Sequence, residues 1–149
     1  PPGGGVSEEE TPEFRLRAFI ESIIMRAHVK PPLQYYHRIR MIETFNPTGL
    51  VDDVWREWFG RHAQIALDIV SKLLGAGATE EDIRRCHMSV MSQCYIANSN
   101  LTSGRKPIEE TIHLQDGEAI VNHIYNFSMA GIGAAAQQIE QRSVNACSK

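Results

Sequence analysis

The sequence predicts an all-α domain, an antiparallel bundle of about five helices. Apolar residues recur at steps of three and four along four long stretches, which puts each set on one face of a helix. Explicit stop and start signals separate those stretches. No segment sustains the two-residue alternation of a strand, and no internal repeat is present.

Residues 1–10 open with Pro-Pro-Gly-Gly-Gly and turn acidic, the composition of a flexible linker. Thr11-Pro12-Glu13 starts the first helix, with a hydroxyl cap, proline in the first turn and an acid at the positive end of the dipole. Leu16, Phe19, Ile20, Ile23, Ile24 and Ala27 form its buried stripe as far as about His28, and Pro31-Pro32 ends it. A shorter helix is expected from Leu33 to Phe45, burying Tyr35, Ile39, Ile42 and Phe45. Asn46-Pro47-Thr48-Gly49 then reads as a turn.

The next stripe is Val51, Val54, Trp58, Ile65, Ile69 and Leu73, with His62 in line between Trp58 and Ile65. Gly75-Ala76-Gly77 supplies a residue able to take the left-handed conformation that ends a helix. Thr79-Glu80-Glu81-Asp82 follows as a capping-box-like start. The partner stripe is Ile83, His87, Val90, Cys94 and Leu101, so the pair forms an antiparallel hairpin with a histidine in each apolar face. Ser99 to Lys106 reads as a loop, and Pro107 to Leu114 has room for a short helical turn. Asp116 caps a last helix reaching about Arg142, with Ile120, Ile124, Phe127, Gly131 and Ala135 as its stripe. The helical domain is thus expected over residues 11–142, with 143–149 a flexible tail.

A chain of 149 residues holds one domain with a real core. Its 42% hydrophobic and 22% charged residues are ordinary for a soluble globular protein. A net charge of -3 gives no electrostatic case for nucleic-acid binding by this chain itself. No apolar run approaches a membrane span, and the opening has no signal-peptide pattern. Cys86, Cys94 and Cys147 make neither a CxxC nor an even disulfide set, which points to the reducing cytoplasm. The first residue is Pro1, which suggests a piece of a longer protein.

The motifs of common catalytic classes are missing: no HExxH, no GxSxG, no P-loop. Gly131-Ile132-Gly133-Ala134-Ala135-Ala136 has the letters of a dinucleotide loop but falls within a predicted helix, where that loop cannot form. Glu110 and His113 make a single ExxH, whereas a di-iron bundle needs two with further glutamates. No metal, no cofactor and no catalytic residue is therefore expected. His62 and His87 leave two readings open. Each is a core histidine satisfied locally, or the two join Trp58, Met91 and Tyr95 around a ligand cavity. The small residues of the last helix, Ser128, Gly131, Ala134 and Ala135, likewise pack either within the domain or against a second copy in a four-helix bundle.

The run His37-Arg38-Ile39-Arg40-Met41-Ile42-Glu43-Thr44-Phe45-Asn46-Pro47 resembles the Arg…Glu…Pro segment of the C-terminal domain in TetR-type transcriptional regulators of the CecR-like branch. Leu73-Leu74-Gly75, Thr79 to Ile83, Ser89 to Cys94, and His123-Ile124 through Phe127 to Ile132 continue the resemblance, which spans about Pro12 to Gln141. It implies a TetR C-terminal-domain-like bundle that senses a small apolar or amphipathic effector and forms a homodimer. It further implies ligand contacts at Trp58, His62, His87, Met91 and Tyr95, and a dimer interface at Ile120, Ile124, Phe127, Gly131 and Ala135. The helix-turn-helix of such regulators, and the connecting helix after it, are not in this sequence, so DNA would be bound only through that further domain. The expected function is the sensing half of a repressor. The alternatives are a stand-alone helical dimerisation or interaction module without a small-molecule site, or a small enzyme using the histidines as acid–base groups.

Overall fold

The computed structural model describes residues 5–26, 39, 42, 43, 46–50, 52–102 and 116–147. Of Arg26, Val54, Trp55, Glu57, Trp58, Phe59, Asn98, Ser99, Asn100, Leu101, Thr102 and Cys147 it describes the backbone alone. Four helices follow in order: α1 (Pro12–Arg26), α2 (Asp52–Leu74), α3 (Glu80–Thr102) and α4 (Gly117–Cys147). No strand occurs among the described residues. Among the described residues these four helices stand against the about five expected of the whole chain. Most of the expected Leu33–Phe45 helix lies outside the described residues; Ile39, Ile42 and Glu43 are helical within it. The segment from Pro107 to Leu114 lies outside them entirely.

Helices α1, α3 and α4 begin where a side chain satisfies free backbone N–H groups of the first turn. Phe14 N–H donates to Thr11 Oγ1 at 3.3 Å. Glu118 and Ala119 N–H both donate to Asp116 Oδ1 at 3.1 Å. At α3 the box is reciprocal: Asp82 N–H donates to Thr79 Oγ1 (3.2 Å) and Thr79 N–H to Asp82 Oδ2 (3.0 Å). The α2–α3 turn depends on Gly75, whose φ of +85° lies in the left-handed region that glycine enters without a Cβ penalty. On the approach to α2, Glu43 accepts from Thr48 N–H (2.9 Å) and Thr48 Oγ1 (2.6 Å), which closes the Asn46–Gly49 turn.

Every helix packs on every other. The core is Leu16, Phe19, Ile20, Ile23 and Ile24 of α1; Ala66, Ile69, Val70 and Leu74 of α2; Val90, Met91 and Cys94 of α3; and Ile120, Val121, Ile124, Ile132 and Ile139 of α4. Arg15, also buried, enters it as an ion: its guanidinium meets Asp68 of α2 at 3.0 Å, and Lys72 meets the same oxygen at 3.1 Å. Burial works to raise the Asp68 carboxyl, but hydrogen bonds from Lys72 and Arg15 outweigh it and hold the group below its ordinary value. Among the described residues, no helix is long and apolar enough to cross a membrane.

Helix α4 outruns the expected end at Arg142 and continues to Cys147, so residues 143–147 are helical and not a loose tail. Tertiary contacts anchor the helix just before these turns: Ile139 is buried and Arg142 Nη2 meets Asp82 Oδ2 at 2.6 Å. Within the helix, Ser143 Oγ donates to Ile139 O at 3.1 Å. A Cβ added at Gly77 would lie 3.1 Å from both Ile139 Cγ2 and Ser143 Oγ, so the turn and the end of α4 touch closely. Hydrogen bonds from Arg142 and Thr79 hold the Asp82 carboxyl well below the carboxylate range. A carboxyl depressed in the folded state adds stability that is present above its unfolded value and lost as pH falls through the folded one. Asp82→Asn is therefore expected to lower stability at neutral pH and to shrink the further loss of stability below about pH 4. Urea denaturation of both proteins across that range checks it.

Candidate functional site

The α2–α3 hairpin carries the two histidines singled out by spacing. Counting back from the turn at about 1.5 Å per residue, His62 lies about level with Ser92, while His87 lies about level with Leu67. The two positions are thus offset by about 7–8 Å along the hairpin, which does not suit a hydrogen-bonded dyad. His62 is buried and takes part in an interaction within the chain. His87 differs. Its ring is half-buried, yet Nε2 is fully buried and has no hydrogen-bond partner among the described residues.

Desolvation lowers the His87 pKa, so the ring is neutral at physiological pH. A neutral imidazole has one N–H and one lone pair. Leaving either buried without a partner costs on the order of 1–3 kcal/mol. Most buried polar atoms are paired, so this one stands out among the described residues.

The next turns of α3 are apolar and soft on their inner side. Met91 and Cys94 are buried one and two turns beyond His87 on α3, and Tyr95 is half-buried against the core. The side chain of Trp58 lies outside the described residues. The expected ligand set is therefore placed as two histidines, a methionine and a tyrosine on the two arms of one hairpin. Cys94, not among the expected contacts, is the most deeply buried polarizable group there. Among the described residues, no three His, Cys, Asp or Glu side chains are grouped to hold a metal ion.

A second surface lies on the outside of α3 and α4. The two helices run antiparallel. Gln93 Nε2 donates to the buried Ser128 Oγ at 3.3 Å near their middles, and Asp82 meets Arg142 near one end. The outer sides expose large apolar groups: Met88 and Ile96 on α3, and Phe127 on α4, the last at 64%. His123 stacks on Phe127 with centroids 6.2 Å apart and planes at 27°. Ala130, Gly131 and Ala134 continue this side of α4.

Of the five residues expected at a dimer interface, Ile120 and Ile124 are packed inside the protomer's own core. Phe127 and Gly131 stand on the outer face, and Ala135 is half-buried between the two. The inward stripe runs through Val121, Ile124, Ser128, Ile132 and Ile139 instead. Met88, Ile96 and Ala130 are further outer-face residues that the expected set did not include, beside Ala134, which the sequence reading had named as facing either the domain or a second copy. One signal could have found them. Residues 86–102 and 119–139 contain no Asp, Glu, Lys or Arg, so along these stretches neither helix carries the charged side that normally faces water.

With this geometry in place, comparison with known families gives one finding. The sequence model for the HTH-type transcriptional dual regulator CecR, C-terminal domain, matches residues 12–132. That span takes in all of α1, α2 and α3 and the first half of α4. No curated protein matches the chain.

Proposed function

Because the chain belongs to the family of CecR regulator C-terminal domains, we propose that it is the effector-sensing and dimerisation unit of a TetR-type regulator. The observation that carries this reading is the uncharged outer layer of α3 and α4. An antiparallel helix pair with exposed Phe127, Ile96 and Met88, flanked by alanine and glycine, is self-complementary about a two-fold axis. Two such layers pack as a four-helix bundle, and the small side chains allow close approach. A patch of this kind left in water would be an aggregation liability.

The sensing half of the reading is supported by the hairpin. His87 carries a buried atom without a partner among the described residues, and Met91 and Tyr95 follow it on the same helix; Trp58 and His62 of α2 are proposed as further contacts of the ligand. The effector is small and apolar or amphipathic, and it acts by population shift. It favours one arrangement of the two subunits over another only to the extent that it binds that arrangement more tightly. The readout is made by helix-turn-helix domains that must match two half-sites at fixed spacing. In this reading the regulator is a cytoplasmic repressor that the effector releases from DNA.

The test is the solution mass of the chain by light scattering coupled to size-exclusion chromatography. A dimer at micromolar concentration is the expected result. A monomer at that concentration would sink the reading, since the uncharged layer would then have no second copy to cover it.

A further inference from the structure

We propose that acid separates the two copies of the chain: protonation of His123, which stands in the uncharged outer layer, releases the α3–α4 face from its second copy. This rests on the dimer reading above and names how that contact is regulated. The placement is geometric. His123, Phe127, Ala130 and Ala134 follow at steps of three and four, so they share one line of α4, and all four are exposed. The imidazole stacks on Phe127 with centroids 6.2 Å apart, so a copy that covers Phe127 closes over this ring too.

A charged ring in this layer has no carboxylate committed to it. On α4, Asp116 and Glu118 lie at the helix start, where Asp116 accepts from the Glu118 and Ala119 N–H groups, and the next acid is Glu140. Helix α3 runs antiparallel with Gln93 beside Ser128, so about residues 97–99 lie level with His123, and Ala97, Asn98 and Ser99 are not titratable. On α1, Arg17 is set over the Tyr125 ring, 5.8 Å from its centroid, and Glu13 and Glu21 face solvent. Arg15 and Lys72 share Asp68, which leaves that cluster one positive charge in excess. On α2, Asp53 and Arg56 are exposed and lie 3.9 Å from each other. No ion pair among the described residues includes His123. A second copy has the same sequence, so its residues 86–102 and 119–139 bring no acid either.

Histidine ordinarily titrates near about pH 6.5, within the physiological range. Covering a charged ring without a counter-ion is unfavourable, so the dimer takes the neutral form while the separate chain accepts both. The dimer then binds fewer protons than two separate chains. Its stability is therefore present above the histidine range and lost as pH falls through it. Each histidine contributes a factor of about ten between about pH 7.5 and 5.5, and the two-fold contact holds two, so the dimer is weakened about a hundredfold.

The experiment measures the dimer dissociation constant of the whole chain at about pH 7.5 and 5.5 by light scattering over a concentration series, with circular dichroism reading the fold at both. The wild-type ratio is expected to be about a hundredfold. In His123→Gln, which cannot take up the charge, the ratio is expected to fall to about one whatever the affinity at neutral pH. NMR titration of the His123 ring reads the same coupling without a variant: it is expected to titrate at lower pH in a concentrated sample than in a dilute one. A wild-type dimer equally tight at both pH values would overturn the proposal. So would a His123→Gln chain that keeps the wild-type ratio, a ring titration that ignores concentration, or unfolding in place of dissociation. A monomer at every pH and concentration would overturn the dimer reading as well, which separates the two failures.

Discussion

If the chain forms the proposed dimer, Phe127→Glu is expected to turn it into a monomer without unfolding it. Phe127 is 64% exposed in the single chain, so the protomer loses almost no core on substitution. In a two-fold interface the change is made twice, and each carboxylate would be buried against alanine, glycine and uncharged α3 side chains. Burying an ion without a partner costs several kcal/mol. Dimer dissociation should therefore become at least about a hundredfold easier, since each 1.4 kcal/mol is about tenfold. Light scattering over a concentration series reads the mass, and circular dichroism reads the fold. Ile124→Glu, one turn away but packed into the core, is expected to unfold the chain instead. The contrast between the two places the boundary between protomer core and interface on a single helix.

Phe19→Ala is the substitution expected to cost the most stability without adding a charge. Phe19 is wholly buried on α1, which packs against all three other helices, so no single neighbour can move in to fill the space. Truncating a buried phenylalanine costs about 3–5 kcal/mol in transfer and cavity terms. A domain's whole stability is about 5–15 kcal/mol. The urea midpoint should fall steeply, with the slope of the transition unchanged. Phe14 of the same helix is half-exposed, and Phe14→Ala is expected to shift the midpoint by a small fraction of that.

The start signals were legible because they are local. Thr11, Thr79 and Asp116 each cap a helix by bonds to residues two or three positions on, and Gly75 ends α2 by its own conformation. The phase of α4 was harder to read. Ile120, Ile124, Phe127, Gly131 and Ala135 keep helical spacing, but the true inward line passes through Val121, Ser128 and Ile132. Period alone cannot choose between two neighbouring lines when no charged residue marks the opposite side. The feature that blurs the stripe is thus the one on which the proposed dimer face rests.

The candidate site was legible to a similar depth. Spacing put both histidines on apolar faces, but it could not distinguish His62, engaged within the chain, from His87, whose Nε2 has no partner among the described residues. That difference arises from packing across the hairpin. The length of α4 escaped for the same reason, since its last turns are held by Asp82, 60 positions earlier in the chain.

That attachment changes where the folding unit stops. The family pattern closes at residue 132, in the middle of α4, with Ile139 and Arg142 still to come. A fragment trimmed to the pattern would keep every α1, α2 and α3 residue and yet strip a side chain from the core. Gly77 would face water in place of Ile139 and Ser143, and Asp82 would keep its bond to Thr79 while losing its cation. The shared motif is therefore shorter than the object that carries it, and residues 133–147 belong inside any boundary drawn for expression or grafting.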